Sequence, residues 1–203
     1  MNEPKRSEYQ FTLTMDGVEE LTFEGIDRLF EAGCDDATFG TRCGTHFATF
    51  HRDAASATEA MISAIEDVER ARVGLRVVRI EPDELVTAGE IAERGGLSRE
   101  AIRLYVLAKR GPGGFPRPVA GLHQKSPLYR WSDVAAWLDR LPGGSKRLDT
   151  ALADSIAFLN AALDLRRLAP SVQDAEAAFQ RLRSKPRRLA SSVSGKPRTR
   201  ERM

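Results

Sequence analysis

The sequence predicts an α+β fold in which strands and helices interleave through the first 84 residues and helices dominate thereafter. Three observations carry that expectation. The apolar period alternates between two and about 3.6 residues up to Pro82, marking strand and helix in turn. Glycine, proline and capping serines fall where one period yields to the other. The charge also changes sign along the chain: residues 1–86 hold 9 Lys/Arg against 18 Asp/Glu, and residues 87–203 hold 22 against 11. The net charge of +2 therefore hides an acidic front and a basic back, and the basic part is the candidate for a polyanion.

The first strand is EYQFTLTMD, with Phe11, Leu13 and Met15 on one face and Gln10, Thr12 and Thr14 on the other. LTFEGIDRLFEAG spaces Leu21, Ile26, Leu29 and Phe30 for a helix ended by Gly33. ATFGTRCGTHFATFHRD reads as two strands joined by a short turn around Cys43 and Gly44. SATEAMISAIEDVERARVG is a second helix, with Ser56 as N-cap and Met61, Ala64, Ile65 and Val68 on its buried side. LRVVRIEPD closes as a strand stopped by Pro82. The order βαββαβ over residues 1–84 is the ferredoxin-like split pattern, two helices covering one face of a four-stranded antiparallel sheet. That fold hosts many functions and supplies none by itself.

Little in this acidic module points to chemistry. It has no phosphate-binding glycine loop, no nucleophile elbow and no acid/base pair, so no enzymatic activity and no cofactor are expected. RNA-binding modules share the topology, but their aromatic strand motif is missing. Cys34, Cys43, His46 and His51 follow the spacing C-x8-C-x2-H-x4-H, which matches no zinc pattern. His46 and His51 also fall on opposite faces of their strand, so no metal is expected.

TAGEIAERGGLSREAIRLYVLAKRGPGGFPRP, residues 87–118, has a different logic. With Ala88 as first position of a helix-turn-helix template, Ile91, Leu97, Ile102 and Tyr105 take the apolar positions. Ala92 is the small residue where the two helices touch, and Gly96 is the glycine of the turn. Only Gly95, where a larger apolar residue is usual, departs from the template. Ser98 stands as N-cap of the second helix, with Arg99, Glu100 and Arg103 on its early outward face. GPGGFPRPVAGLHQKSPLYRW then offers a turn, an extended run, a loop and a short strand. Ser132 is expected to cap a last helix, DVAAWLDR. Helix-turn-helix, two-stranded wing and helix make a winged-helix order over residues 85–141.

LVTAGEIAERGGLSREAIR, GGFPRPV and SPLYRWSDVAAWL together resemble the MerR/AlpA-type, excisionase-like DNA-binding family across residues 85–140. The resemblance implies that the second helix enters the major groove of double-stranded DNA and the wing follows its backbone. Ser98, Arg99, Glu100 and Arg103 match the reading positions, and Lys109, Arg110, Arg117 and Lys125 sit around the wing. Plainer roles stand beside these. Arg103 has Glu100 and Asp133 as salt-bridge partners, Trp131 and Trp137 suit core anchors, His123 suits a solvated loop, and Phe115 suits a plug at the wing root.

Residues 145–184 are read as C-terminal helices. Leu148, Leu152, Ile156, Leu159 and Leu163 form one apolar stripe, expected to pack on the winged helix or to serve as a homodimer seam. A second helix is expected from Val172 to Arg183. Residues 185–203 read as a disordered basic tail that adds phosphate contacts, since from Arg181 onward the count is 9 basic residues against 1 acidic. No run reaches the roughly 18 apolar residues of a membrane helix. With two cysteines and a polar start, the expected location is the cytoplasm, at the nucleoid. The expected function is a sequence-specific transcriptional regulator of bacterial type. The alternatives are an excisionase-like DNA-bending protein and an antitoxin-like module whose acidic half takes a protein partner.

Overall fold

The computed structural model describes residues 6–141, 148–169 and 171–182. The tail at 185–203 lies outside them. The chain is α+β, with a four-stranded antiparallel sheet and seven helices among the described residues.

Strand β1 (Ser7–Asp16) leads to α1 (Phe23–Glu31), then β2 (Ala37–Arg42), β3 (Thr45–Ala54), α2 (Ala57–Arg70) and β4 (Arg76–Glu81). The sheet order is β2-β3-β1-β4, with every neighbour antiparallel. Register follows from the pleat: Phe11 pairs with Phe50 and Leu13 with Ala48, so one face of the sheet is wholly apolar. Cys43 and Gly44 have φ of 53° and 77°, as a two-residue hairpin turn matching strand twist requires. Thr22 and Ser56 accept from the backbone of Gly25 and Glu59 and start α1 and α2.

Arg52 is the one arginine buried among the described residues. It donates to Asp36 and Asp67 at 2.7 Å each and to the Gly33 carbonyl at 2.7 Å, binding β3 to the ends of both helices. Such an ion cluster costs desolvation, and removing either carboxylate would leave the buried guanidinium short of a partner.

Helix α6 (Thr150–Leu168) corrects the expectation for the C-terminal stripe. Ile156, Leu159 and Leu163 join the core of the four-stranded sheet, and the stripe is neither a dimer seam nor a cover for residues 85–141. Only Leu148, just before α6, packs against the other core. The physical reason lies in β4, an edge strand with unpaired backbone groups. Asn160, buried within the stripe, accepts from the Ile80 N–H at 2.8 Å and donates to the Ile80 carbonyl at 2.9 Å. Arg166 adds the Val77 carbonyl and a 2.9 Å ion pair to Glu69.

A second core gathers Val86, Ile91, Ala92, Ile102, Tyr105, Tyr129, Val134 and Trp137. It unites β5 (Leu85–Val86), α3 (Ala88–Gly95), α4 (Arg99–Val106), β6 (Tyr129–Arg130) and α5 (Trp131–Asp139). Strand β5 pairs with β6, and a bridge joins Ala120 to Leu128. One local expectation is corrected. Helix α5 begins at Trp131, so Ser132 lies inside it and no side chain caps its start; the Trp131 N–H bonds to the Glu84 carbonyl instead. Helix α3 also runs intact through Gly95. A β-carbon there would meet the Leu138 side chain of α5 at 3.2 Å.

Residues 171–182 hold α7 (Val172–Leu182), whose start is capped by Ser171 accepting from the Asp174 N–H at 3.1 Å. No helix among the described residues is long and apolar enough to cross a membrane.

Candidate nucleic-acid interface

Helices α3 and α4 meet through the turn that Gly96 makes at φ 63°, a left-handed conformation that a larger residue resists. At the start of α3, Thr87 accepts from the Glu90 N–H at 3.3 Å while Glu90 accepts from the Thr87 N–H at 2.7 Å. The backbone and hydroxyl bonds from Thr87 hold the Glu90 carboxyl below its ordinary pKa. This reciprocal cap leaves the N–H groups of Ala88 and Gly89 as first-turn donors with no intrahelical acceptor.

Beside them lies a groove of about 320 Å³ lined by Thr87, Gly89, Arg99, Lys125, Ser126 and Tyr129. Arg99 comes from the first turn of α4 and runs alongside Gly89, where a β-carbon would stand 3.7 Å from two of its guanidinium nitrogens. Lys125 comes from the loop of the 119–128 hairpin, which hydrogen bonds between Val119, Ala120 and Leu128 hold closed. The structure thus brings Arg99 and Lys125 together from two elements that are well separated in sequence.

The other residues singled out from the sequence are dispersed. Ser98 accepts from the Ala101 N–H at 3.1 Å and acts as the cap. Glu100 and Arg103 form a bidentate ion pair, with Nε and Nη2 donating at 2.8 and 2.7 Å. Hydrogen bonding from Arg103 holds the Glu100 carboxyl below its ordinary pKa. Lys109 and Arg110 follow the far end of α4, about 12 Å of helix away from Arg99. The Lys109 N–H closes that end on the Leu104 carbonyl, and the Arg110 guanidinium stands 5.6 Å over the Tyr105 ring. Arg117 is exposed on the extended run before the hairpin.

The aromatic residues are structural. Phe115 packs edge-on against both Tyr129 and Trp137, and Trp137 Nε1 donates to the Gly113 carbonyl at 2.9 Å. Trp131 is partly buried under Arg94, whose guanidinium lies 5.3 Å from its ring and donates to the Asp83 carbonyl. Arg94 escaped the sequence reading because its partners, a backbone carbonyl and a ring face, leave no charge pattern.

Comparison with known proteins returns a short answer. The chain matches no family model, no curated protein and no solved structure. What the interface can do rests on its own geometry.

A second concavity, of about 440 Å³, lies on the open face of the four-stranded sheet. Thr12, Thr14 and Thr49 line it together with Arg42, Phe47 and Glu81. Phe47 lies flat on Gly40, where a β-carbon would clash with its ring at 2.6 Å. His46 points to the opposite face, bonded to Thr41 Oγ1 at 2.7 Å and to the Val18 carbonyl, whereas His51 is exposed near Glu8. Cys34 is buried and Cys43 exposed, and no group of three metal-ligating side chains occurs among the described residues.

Proposed function

We propose that residues 85–141 form a winged helix-turn-helix unit that binds double-stranded DNA, with α4 in the major groove and the 119–128 hairpin as wing. In this reading the chain is a sequence-specific transcriptional regulator of bacterial type. The sheet module, whose order β2-β3-β1-β4 suits a ferredoxin-like arrangement, serves regulation and faces away from the duplex. One observation carries the proposal. Arg99 and Lys125 converge from helix and hairpin on one groove at the start of α3, where backbone donors remain unused.

That convergence divides the labour among the exposed charges. Arg99 and Lys125 suit a phosphate, which fixes register without reading sequence. Glu100 and Arg103 point outward from a rigid helix and hold each other ready. On a base pair, Arg103 would exchange the carboxylate for a guanine edge and Glu100 would accept from a cytosine amine.

The test is a fluorescence-anisotropy titration of the full chain on a duplex obtained by selection and on a scrambled duplex. Arg99→Ala and Lys125→Ala should weaken both complexes alike, each lowering the log–log salt slope by about 0.9. Arg103→Ala should remove about 1–3 kcal/mol of discrimination between the duplexes. No affinity for any duplex at low salt, or equal affinity after both cations are removed, would overturn the assignment.

A further inference from the structure

The four-stranded sheet has two edges, and only one of them is covered. Along β4, Asn160 and Arg166 take up the backbone of Ile80 and Val77. Strand β2 is the other edge, and among the described residues no strand or side chain bonds to its outer side. Its sequence ATFGTR holds no proline and no lysine, and its register with β3 is unbroken, so the devices that keep an edge from pairing are missing. From this edge we infer that β2 pairs antiparallel with β2 of a second copy of the chain, making one sheet across a two-fold axis at Phe39.

Backbone polarity is the first argument for that occupant. The His51 N–H bonds to the Asp36 carbonyl at 3.0 Å, which fixes the groups of β2 that face β3. By the two-residue period Thr38, Gly40 and Arg42 turn theirs to β3 as well, and Phe39 and Thr41 turn both N–H and carbonyl outward. The Ala37 carbonyl faces outward by the same period, while the Ala37 N–H is turned back to the Cys34 carbonyl at 3.2 Å. About an axis at Phe39 this set is self-complementary. Phe39 exchanges two bonds with its counterpart, and each Thr41 N–H meets the Ala37 carbonyl of the other copy.

Charge is the second. Asp35 and Arg42 bracket β2, both are exposed, and neither has an ion-pair partner among the described residues. Extended chain holds them roughly 20 Å apart within one copy. The antiparallel register lays the Arg42 end of each strand beside the Asp35 end of the other, whereas a parallel pairing would set like beside like. The flank is the third. Phe30 stands edge-on to Phe39 with ring centroids 6.1 Å apart, and Phe23, two turns earlier, shares its face of α1. Phe23 is 88 % exposed and Phe30 42 %, so apolar surface runs beside the open edge. The inference goes beyond the DNA-binding reading and is independent of it.

Sedimentation equilibrium of the full chain tests the inference, and the expected result is a reversible dimer. Arg42→Asp should raise its dissociation constant roughly tenfold, because two attractions at the ends of the paired strands become repulsions. Asp35→Arg added to Arg42→Asp should restore the parent value, which two groups so far apart within one copy could not do. Hydrogen exchange reads the edge itself: the Phe39 amide should gain protection as protein concentration rises. Cross-linking needs neither charge variant. Diagonal positions across paired strands lie about 7–8 Å apart, so Thr38→Cys in a Cys43→Ser background should give a covalent dimer with a short bis-maleimide. Glu59→Cys in the same background should not. A chain that stays monomeric at all concentrations and resists this cross-link would overturn the inference. So would a dimer whose Phe39 amide exchanges as fast as in the monomer, or one in which the charge swap recovers nothing.

Discussion

Asn160→Ala is the substitution that most directly probes how α6 is held. The Asn160 amide meets the Ile80 N–H at 2.8 Å and the Ile80 carbonyl at 2.9 Å, at a site where Asn160 is 1 % exposed. Water cannot replace the lost partner there, so each orphaned backbone group costs about 1–3 kcal/mol. The space left by the amide adds about 1 kcal/mol, for a total near 3–7 kcal/mol. Asn160→Leu separates the two contributions. It fills the volume but bonds to neither group, so it should recover only the last ~1 kcal/mol. Urea unfolding followed by circular dichroism reads both values, provided the slope m is unchanged. Hydrogen exchange adds a local readout, in which the Ile80 amide should lose about a hundredfold in protection. A loss below about 1 kcal/mol with Ile80 protection intact would falsify the docking of α6 along β4.

Three further outcomes follow from local chemistry. Ala108 ends α4 at φ 53°, where a β-carbon is strained, so Ala108→Gly should stabilise the protein by about 1 kcal/mol in a thermal melt. Burial, and after it the charge of Asp67, push the Cys34 thiol up to about 12, so a thiol reagent at neutral pH should label Cys43 alone until denaturant is added. Glu90 has a folded pKa below its unfolded value, so its contribution is present above that unfolded value and fades as pH falls through the folded one. Glu90→Gln should therefore flatten the acid limb of the stability profile, which a pH series of urea melts would reveal.

Much of the local architecture was legible because it has local causes. Period two placed Phe11, Leu13 and Met15 on the core face, and the turn at Cys43–Gly44, the caps at Ser56 and Ser98 and the break at Gly96 need only neighbouring residues. Partnerships were not legible. The stripe Ile156–Leu159–Leu163 announces that one face is buried but not what buries it, and Asn160 within it makes sense only beside a strand edge. Arg52 stands at an inward position of β3, yet Asp36 and Asp67 become its partners only once both helices fold back. Within the candidate interface, the outward arginines of α4 could be read from helical spacing. The meeting of Arg99 with Lys125 could not, because it depends on how a loop 26 residues further on closes.

The return of α6 to the first module gives the chain a particular birth order. Ile80 and Asn160 lie 80 residues apart with the second core between them, so β4 is covered only after that whole stretch has been made. Contacts so distant in sequence slow folding. On the ribosome the sheet is complete well before its last helix emerges, and during that interval β4 is an open edge on which another nascent chain can template. A gene cut after residue 84 would freeze the protein in that interval. Expression of the acidic half alone should therefore give aggregates, and adding residues 150–168 back through a short linker should restore a soluble fold.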